Sequence, residues 1–550
     1  MVNSIERLRK LFSKYSIDYY VVPSTDEFLG EWVPDYNDRL RYITRFTCSS
    51  GVAVISREGK NYFFTDGRYL LQAKKQLDKS FVIKDLEKEK FTSWMIETLK
   101  KGEKVGLDPK LHNVTQIDNV IKNSDKSNLV FTDENLIDAI WQDRPLKSLT
   151  DIFTYNFNYA GEIPENKLKI VSSFLKEKGV ESVVLSNPES ICWLLNIRGN
   201  DLEFTPIVLC YAIVSKNGPV KLFLSHKPSN ETNKYLKDNN VQIFTPNQFQ
   251  KEISKLSGKV CINKNTSFWI ASNLRDYVVE EDPCLLPKAC KNKIEINGAI
   301  QAHIKDGTAM QECLDWLHAN LGKKKITELS LSEKLLEFRQ KQKGFFSPSF
   351  QSIVGFKDNG AIIHHKATKE NHKEIKGNGL LLIDSGGQYF EGTTDITRTI
   401  AIGKPTAEQI HNFTLVLKGH IKVLSAVFPE SFTGADLDKL AREDLKKEGK
   451  DYAHGTGHGV GSFLSVHEGP QSISSKGVVK LQPGMILSIE PGFYKEGEYG
   501  IRIESLAYVK KAKKSGYLEF VVLTKVPIDE KLVDFNLLTP QEKEWLQEYN

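Results

Sequence analysis

The sequence predicts two α/β domains of one layout followed by a larger α+β domain. Three observations carry this. The chain has 550 residues, too many for a single hydrophobic core. Two early stretches repeat one order of helix, buried strand, polar turn, aromatic-led segment and second strand. From about residue 293 the pattern changes to long helices separated by glycine-rich strand-and-turn segments.

The first repeat opens with a helix over 5–15, whose Ile5, Leu8, Leu11 and Phe12 share one face. A strand follows at 19–22, an aromatic-led segment at 41–46 and a second strand at 51–55. The second repeat places its helix at 165–178, its strand at 181–185, its aromatic-led segment at 193–199 and its next strand at 211–214. Strands at 221–224 and 260–262 extend it. Trp141-Gln142-Asp143-Arg144-Pro145, where a helical pattern meets proline, marks the join. The domains are therefore 1–145, 146–292 and 293–550. In the third, a helix spans 294–321. Ser330 with Glu333 opens a second helix reaching about Gln342, and Thr406 with Gln409 a third that ends near Pro429. Thr433 with Asp436 opens a fourth, and a short helix closes the polar tail. The expected arrangement is helices covering one face of a curved antiparallel sheet.

Composition narrows the class. Hydrophobic content of 40% and charged content of 26% describe a soluble globular protein. The net charge of +5 comes from 75 basic and 70 acidic residues, with lysines scattered, so nucleic acid is not the expected partner. No apolar run approaches the roughly 18 residues of a membrane span. Cysteines 48, 192, 210, 261, 284, 290 and 313 form no CxxC pair, which suits reduced thiols. Glu6 and Asp18 in the first segment argue against a transit peptide, leaving a cytoplasmic address.

Chemistry concentrates in the last third. Asp384 ends an apolar run before Ser-Gly-Gly, and Asp395 lies eleven residues on, among threonines. Glu490 precedes Pro-Gly, and Glu504 ends Ile-Arg-Ile-Glu fourteen residues later. Glycine-containing reversals let each pair meet on adjacent strands. His458 lies in HGTGHGVG, whose glycines disfavour helix and permit close backbone approach. In an extended strand His454 and His458 point the same way. His467 follows in His-Glu-Gly-Pro and can fold back over the same pocket. Singly, each residue has a plainer role: Asp384 and Glu490 as turn residues, Asp395 on a surface strand, Glu504 with Arg502 in an exposed ion pair, His364 as an ordinary strand histidine. Together, four carboxylates and one imidazole make a hard, oxygen-rich set able to hold two divalent ions.

The segments AIIHH, LLIDSGGQY, TTDITRT, HGTGHGVGSFLSVHEGP, LSIEPGFY and GIRIES resemble those of the Xaa-Pro aminopeptidases, the aminopeptidase P enzymes. TDEFLGEWVPDYNDRLRYITRF, IWQDRP and WLLNIRGND are similar to segments of the three-domain, cytosolic-type members. The resemblance implies two creatinase-like N-terminal domains and a pita-bread catalytic domain. It implies metal ligation by Asp384, Asp395, His458, Glu490 and Glu504, with Asp395 and Glu504 bridging. It implies that His364, His454 and His467 bind substrate and move protons, that Glu490 can accept a proton, and that Arg502 lies on the substrate side. Two divalent ions are implied, manganese being usual, with zinc or cobalt as alternatives. A hydroxide between them would attack the Xaa-Pro bond of short peptides, and a homodimer is expected. His365 stands where tyrosine is usual, and Glu203-Phe204 replaces a more histidine- and asparagine-like stretch. The competing readings are a prolidase, a non-catalytic pita-bread binding protein and a metal-free creatinase-like hydrolase. An intact ligand set disfavours the last two.

Overall fold

The computed structural model describes residues 2–100, 102–125, 128–147 and 150–550. The chain forms two compact units. One comprises Met1–Thr154, Glu162–Leu202 and Ile207–Cys284; the other Tyr155–Gly161, Glu203–Pro206 and Leu285–Asn550.

The first unit holds the repeat. Helix α1 (Val2–Tyr15) opens one copy and α2 (Pro164–Glu177) the other, with Pro164 at its first turn, where a missing N–H costs nothing. The first sheet contains β1 (Tyr19–Pro23), β2 (Gly51–Ser56), β3 (Asn61–Thr65), β4 (Phe81–Asp85), β5 (Val105–Leu107) and β6 (Leu129–Phe131), ordered β4-β3-β2-β1-β5-β6. The second contains β7 (Ser182–Leu185), β8 (Cys210–Ser215), β9 (Val220–Leu224), β10 (Val241–Phe244), β11 (Val260–Asn263) and β12 (Tyr277–Glu280), ordered β10-β9-β8-β7-β11-β12. Strand directions match as well: β1 is antiparallel to β2 and parallel to β5, as β7 is to β8 and β11. Even the aromatic-led segments correspond. They are helices Arg39–Thr44 and Pro188–Leu195, each ended by a left-handed residue, Arg45 and Asn196.

The second unit builds the site. Helix α3 (Lys293–Asn320) starts at an Asn292–Glu295 capping box. Helix α4 (Glu328–Gln340) is capped by Thr327, not Ser330; Ser330 is the reciprocal partner of that box, which frees Glu328 to turn inward. Helix α5 (Ala407–Leu424) stops short of Pro429, because β-branched and aromatic residues after Ala426 form an edge strand. Helices α6 (Gly434–Lys447) and α7 (Pro540–Tyr549) follow the expected positions.

Among the described residues the unit holds four antiparallel sheets where a single curved one is expected, and two of them carry or border most of the candidate ligands. The smaller of these two contains β13 (Ile353–Phe356), β14 (Gly379–Ser385) and β15 (Ile396–Ile402), ordered β13-β14-β15. The larger contains β16 (Val427–Pro429), β17 (Gly457–Gly459), β18 (Glu468–Ile473), β19 (Ile486–Ile489), β20 (Ser505–Lys511) and β21 (Tyr517–Val522), ordered β16-β21-β20-β19-β17-β18. Helices cover both sheets. Leu381 and Ile383 pack with Met310, Leu314, Leu331 and Leu335 of α3 and α4. Leu487 and Ile489 pack with Val423 and Leu424 of α5 and with Leu437 and Ala441 of α6. Burying each such aliphatic side chain contributes about 2 kcal/mol. Leu380 faces the opposite way, into a cluster with Phe413 and Val416. Strand β14 is thus covered on both faces, which is why its run is continuously apolar until Asp384.

Candidate metal centre

Asp384 lies near the end of β14, opposite Thr397 of β15, and Asp395 immediately precedes β15. Glu490 follows β19 and Glu504 precedes β20, with Ile489 paired to Ser505. Each carboxylate pair therefore sits where two antiparallel strands diverge. A backbone bridge joins the two pairs: the Glu504 N–H donates to the Thr397 carbonyl at 3.0 Å. Strand β17 brings His458 beside them. A Cβ on Gly457 would lie 1.8 Å from the Ser488 carbonyl oxygen, so only glycine allows this approach. The extended part of HGTGHGVG is short, Gly457–Gly459 alone.

The His458 Nε2 lies 3.6 Å from Asp395 Oδ2 and 3.4 Å from Glu490 Oε1. Its Nδ1 meets the Gly459 carbonyl at 2.9 Å. A carbonyl only accepts, so the ring proton sits on Nδ1 and the Nε2 lone pair faces the carboxylates. Ligand atoms of Asp395, His458 and Glu504 all fall within 4.8 Å of one another. Asp384 Oδ1, Asp395 Oδ1 and Glu504 Oε1 are buried without a hydrogen-bond partner. Burial, followed by the charges of Asp384 and Glu490, pushes the Asp395 carboxyl well above its usual range. Burial, followed by the charges of Asp395 and Glu490, does the same to Glu504. Glu490 is raised by burial too, partly offset by His458. Crowded carboxylates with unmet oxygens need positive charge, and hard oxygen donors with one imidazole fit two divalent cations.

The surrounding residues hold these groups in place. Thr397 donates to Glu504 Oε2 at 2.8 Å, and Ser488 donates to Glu490 Oε1 at 3.2 Å. Arg502, which taken singly could have been half of an exposed ion pair, is buried. It is 2% exposed and donates to Asp384 Oδ2 at 2.5 Å, to the Tyr494 hydroxyl at 2.7 Å and to the Ile363 carbonyl at 3.4 Å. Its guanidinium thus ties Asp384 to Tyr494 and to the backbone at Ile363.

The three further histidines approach by different routes. The His467 ring lies 4.3 Å from the His458 ring, since β18 folds back on β17. His454 meets the Tyr494 hydroxyl at 2.8 Å through Nε2, and so connects to Arg502. It does not share the His458 contacts, because the strand begins only after it. His364 follows the carbonyl that Arg502 holds. Its neighbour His365 turns inward to Glu328 at 3.3 Å, a buried carboxylate that also accepts from Asn359 and from the Phe356 and Lys373 N–H groups.

Metallopeptidase family M24 matches residues 298–511, and the C-terminal region of that peptidase family matches 516–550. The creatinase/prolidase N-terminal domain matches twice, at 4–140 and 143–295. A probable Xaa-Pro aminopeptidase P of Sordaria macrospora is 37% identical, over 100% of this chain and 95% of its own. Aminopeptidase P1 of Lotus japonicus is 34% identical over 100% and 96%. The chain belongs to the Xaa-Pro aminopeptidase family. The crystal structure of X-prolyl aminopeptidase from Caenorhabditis elegans, a cytosolic enzyme with a di-nuclear active site, superposes with a TM-score of 0.96 at 32% identity, covering 100% of this chain and 94% of the other. The chain carries two creatinase-type N-terminal domains before a pita-bread domain of the M24 metallopeptidase family.

Sequence reasoning missed several supporting groups of this aminopeptidase. Thr397 and Tyr494 lay inside the motifs but carried no charge to single them out. Asp438 and Arg442 gave no signal beyond helical spacing. In the structure Asp438 accepts from Arg442 and Thr456, and Arg442 donates to the His454 carbonyl at 2.6 Å. This pair anchors the HGTGH loop, and Thr456 in turn accepts the Glu490 N–H at 2.7 Å.

Proposed function

We propose that Asp384, Asp395, His458, Glu490 and Glu504 hold two divalent metal ions, and that His364, His454 and His467 face the substrate, in an enzyme releasing the N-terminal residue from peptides with proline second. The observation that carries this reading is the set of three buried, unpartnered carboxylate oxygens of Asp384, Asp395 and Glu504, with ligand atoms of Asp395, Glu504 and His458 within 4.8 Å of one another. The oxygen-rich donors favour manganese over softer metals, with zinc and cobalt as the alternatives. Bound there, the ions supply Lewis acidity and a nucleophilic oxygen at neutral pH.

The chain's residues do the rest. Glu490 accepts the proton of the attacking water. His467, stacked edge-on to His458, donates to the developing oxyanion of the scissile carbonyl. The C–N bond then breaks, and the proline nitrogen, which carries no hydrogen of its own, must receive a proton to leave. His454, with its proton on Nδ1 toward the Gly455 carbonyl, is steered by Tyr494 toward the substrate side. Arg502 holds the Asp384 carboxylate in orientation.

The domain limits 1–145, 146–292 and 293–550, a homodimer and a cytoplasmic location complete the reading. Among the described residues no helix is long and apolar enough to cross a membrane. The test is a comparison of Arg-Pro-Pro with Ala-Pro in the presence of manganese. Release of arginine from the tripeptide is expected; turnover of the dipeptide alone would make the protein a prolidase.

A further inference from the structure

Glu468, the residue after His467, is 0% exposed at its side chain and takes two lysines. Lys288 reaches one carboxylate oxygen at 2.6 Å and Lys291 the other, and the two lysine side chains are 2% and 1% exposed. Both come from the stretch Leu285–Asn292, where the chain enters the second unit; Asn292 then caps α3. Burying charges carries a large desolvation cost, and replacing a buried ion cluster by apolar residues of equal volume is often neutral or stabilising. The cluster is therefore poor as a stabilising device. What it supplies is position. With both oxygens engaged, the carboxylate has one orientation. Strand β18 begins at that residue, its backbone pressed against Gly459, whose added Cβ would lie 2.4 Å from the Glu468 carbonyl oxygen. One bond earlier, the His467 ring stands 4.3 Å from the His458 ring.

We propose that Lys288 and Lys291 are positioning residues that fix His467 against the reacting carbonyl through Glu468. The inference rests on the role given to His467 above. A displacement of about 1 Å in a catalytic group costs on the order of a hundredfold, and loosening one of two anchors should cost part of that.

The experiment uses the full-length, manganese-loaded enzyme and Arg-Pro-Pro. Lys291→Met leaves one lysine on Glu468, so no buried charge is stranded. It should lower kcat by about tenfold, with KM within twofold, manganese content unchanged and Lys291→Arg restoring most of the loss. His467→Ala should lower kcat by about a hundredfold, and adding Lys291→Met to it should lower kcat no further. Lys288→Met repeats the test should Lys291→Met fail to fold. Wild-type kcat in both lysine variants, or a further tenfold loss in the double variant, would overturn the proposal. Wild-type kcat in His467→Ala would instead overturn the role of His467.

Discussion

Replacing Thr397 by valine removes one hydroxyl and little else. The side chain is fully buried, and its hydroxyl donates to Glu504 Oε2 at 2.8 Å. Valine keeps the β-branched shape that suits β15. It also removes the acceptor for Arg502 Nε at 3.2 Å, but Arg502 keeps Asp384, Tyr494 and Ile363. A hydrogen bond to a charged group is worth about 1.5–3 kcal/mol. At about 1.4 kcal/mol per tenfold, this predicts a loss of roughly 10- to 100-fold in metal affinity. The same range is typical when a group supporting a metal ligand is lost. Apoprotein titrated with manganese by calorimetry measures it, with Thr397→Ser as the variant that keeps the donor. Serine should bind near wild type and valine weakly. Valine binding manganese within twofold of wild type would refute the claim that Thr397 orients Glu504 for metal.

Four other outcomes are expected. Asp395→Asn, which keeps the shape and removes the charge, should lower kcat by at least about a thousandfold; near-wild-type turnover with metal bound would contradict the ligand assignment. Gly457→Ala should cost about 3 kcal/mol or more and reduce metal content, because the Ser488 carbonyl cannot yield to a Cβ 1.8 Å away; an unchanged melting temperature would show that the strand can shift. His112 is buried without a partner for Nε2, and burial lowers its pKa from 6.5 to about 4. Below 6.5 the unfolded chain gains a proton that the folded chain refuses, so stability falls with pH. The loss should be about 2 kcal/mol between pH 7 and pH 5, and His112→Gln should abolish that part of the slope in urea melts; equal slopes would contradict it. Finally, chelation should lower the melting temperature and abolish activity, both restored by manganese; a melting temperature indifferent to chelation would mean the carboxylates are satisfied without metal.

The repeat was legible because helix, strand and turn signals recur in order. The structure adds that the two sheets share strand order and direction, which no local pattern contains. The candidate ligands stood out in the sequence as a set, since singly each has a plainer role but together they recur at glycine-bounded strand ends. What was hidden depends on three-dimensional closure. The Thr397–Glu504 bridge joins strands of different sheets, 107 residues apart. Taken singly, Arg502 could have been half of a surface pair, because the alternation of Ile501-Arg502-Ile503-Glu504 does not say which face is inside. Here both faces are, since Ile501 and Ile503 enter the core while Arg502 and Glu504 enter the site. The Ser330 cap failed for a local reason: two overlapping capping patterns compete, and the one at Thr327 wins by placing Glu328 where four donors meet it.

The central claim is that five side chains hold two ions. Elemental analysis of the desalted, manganese-loaded protein tests it most directly. The account predicts two ions per chain, falling to one or none in Asp395→Asn. An active wild-type protein that retains no metal, or an Asp395→Asn variant that retains both ions, would contradict it.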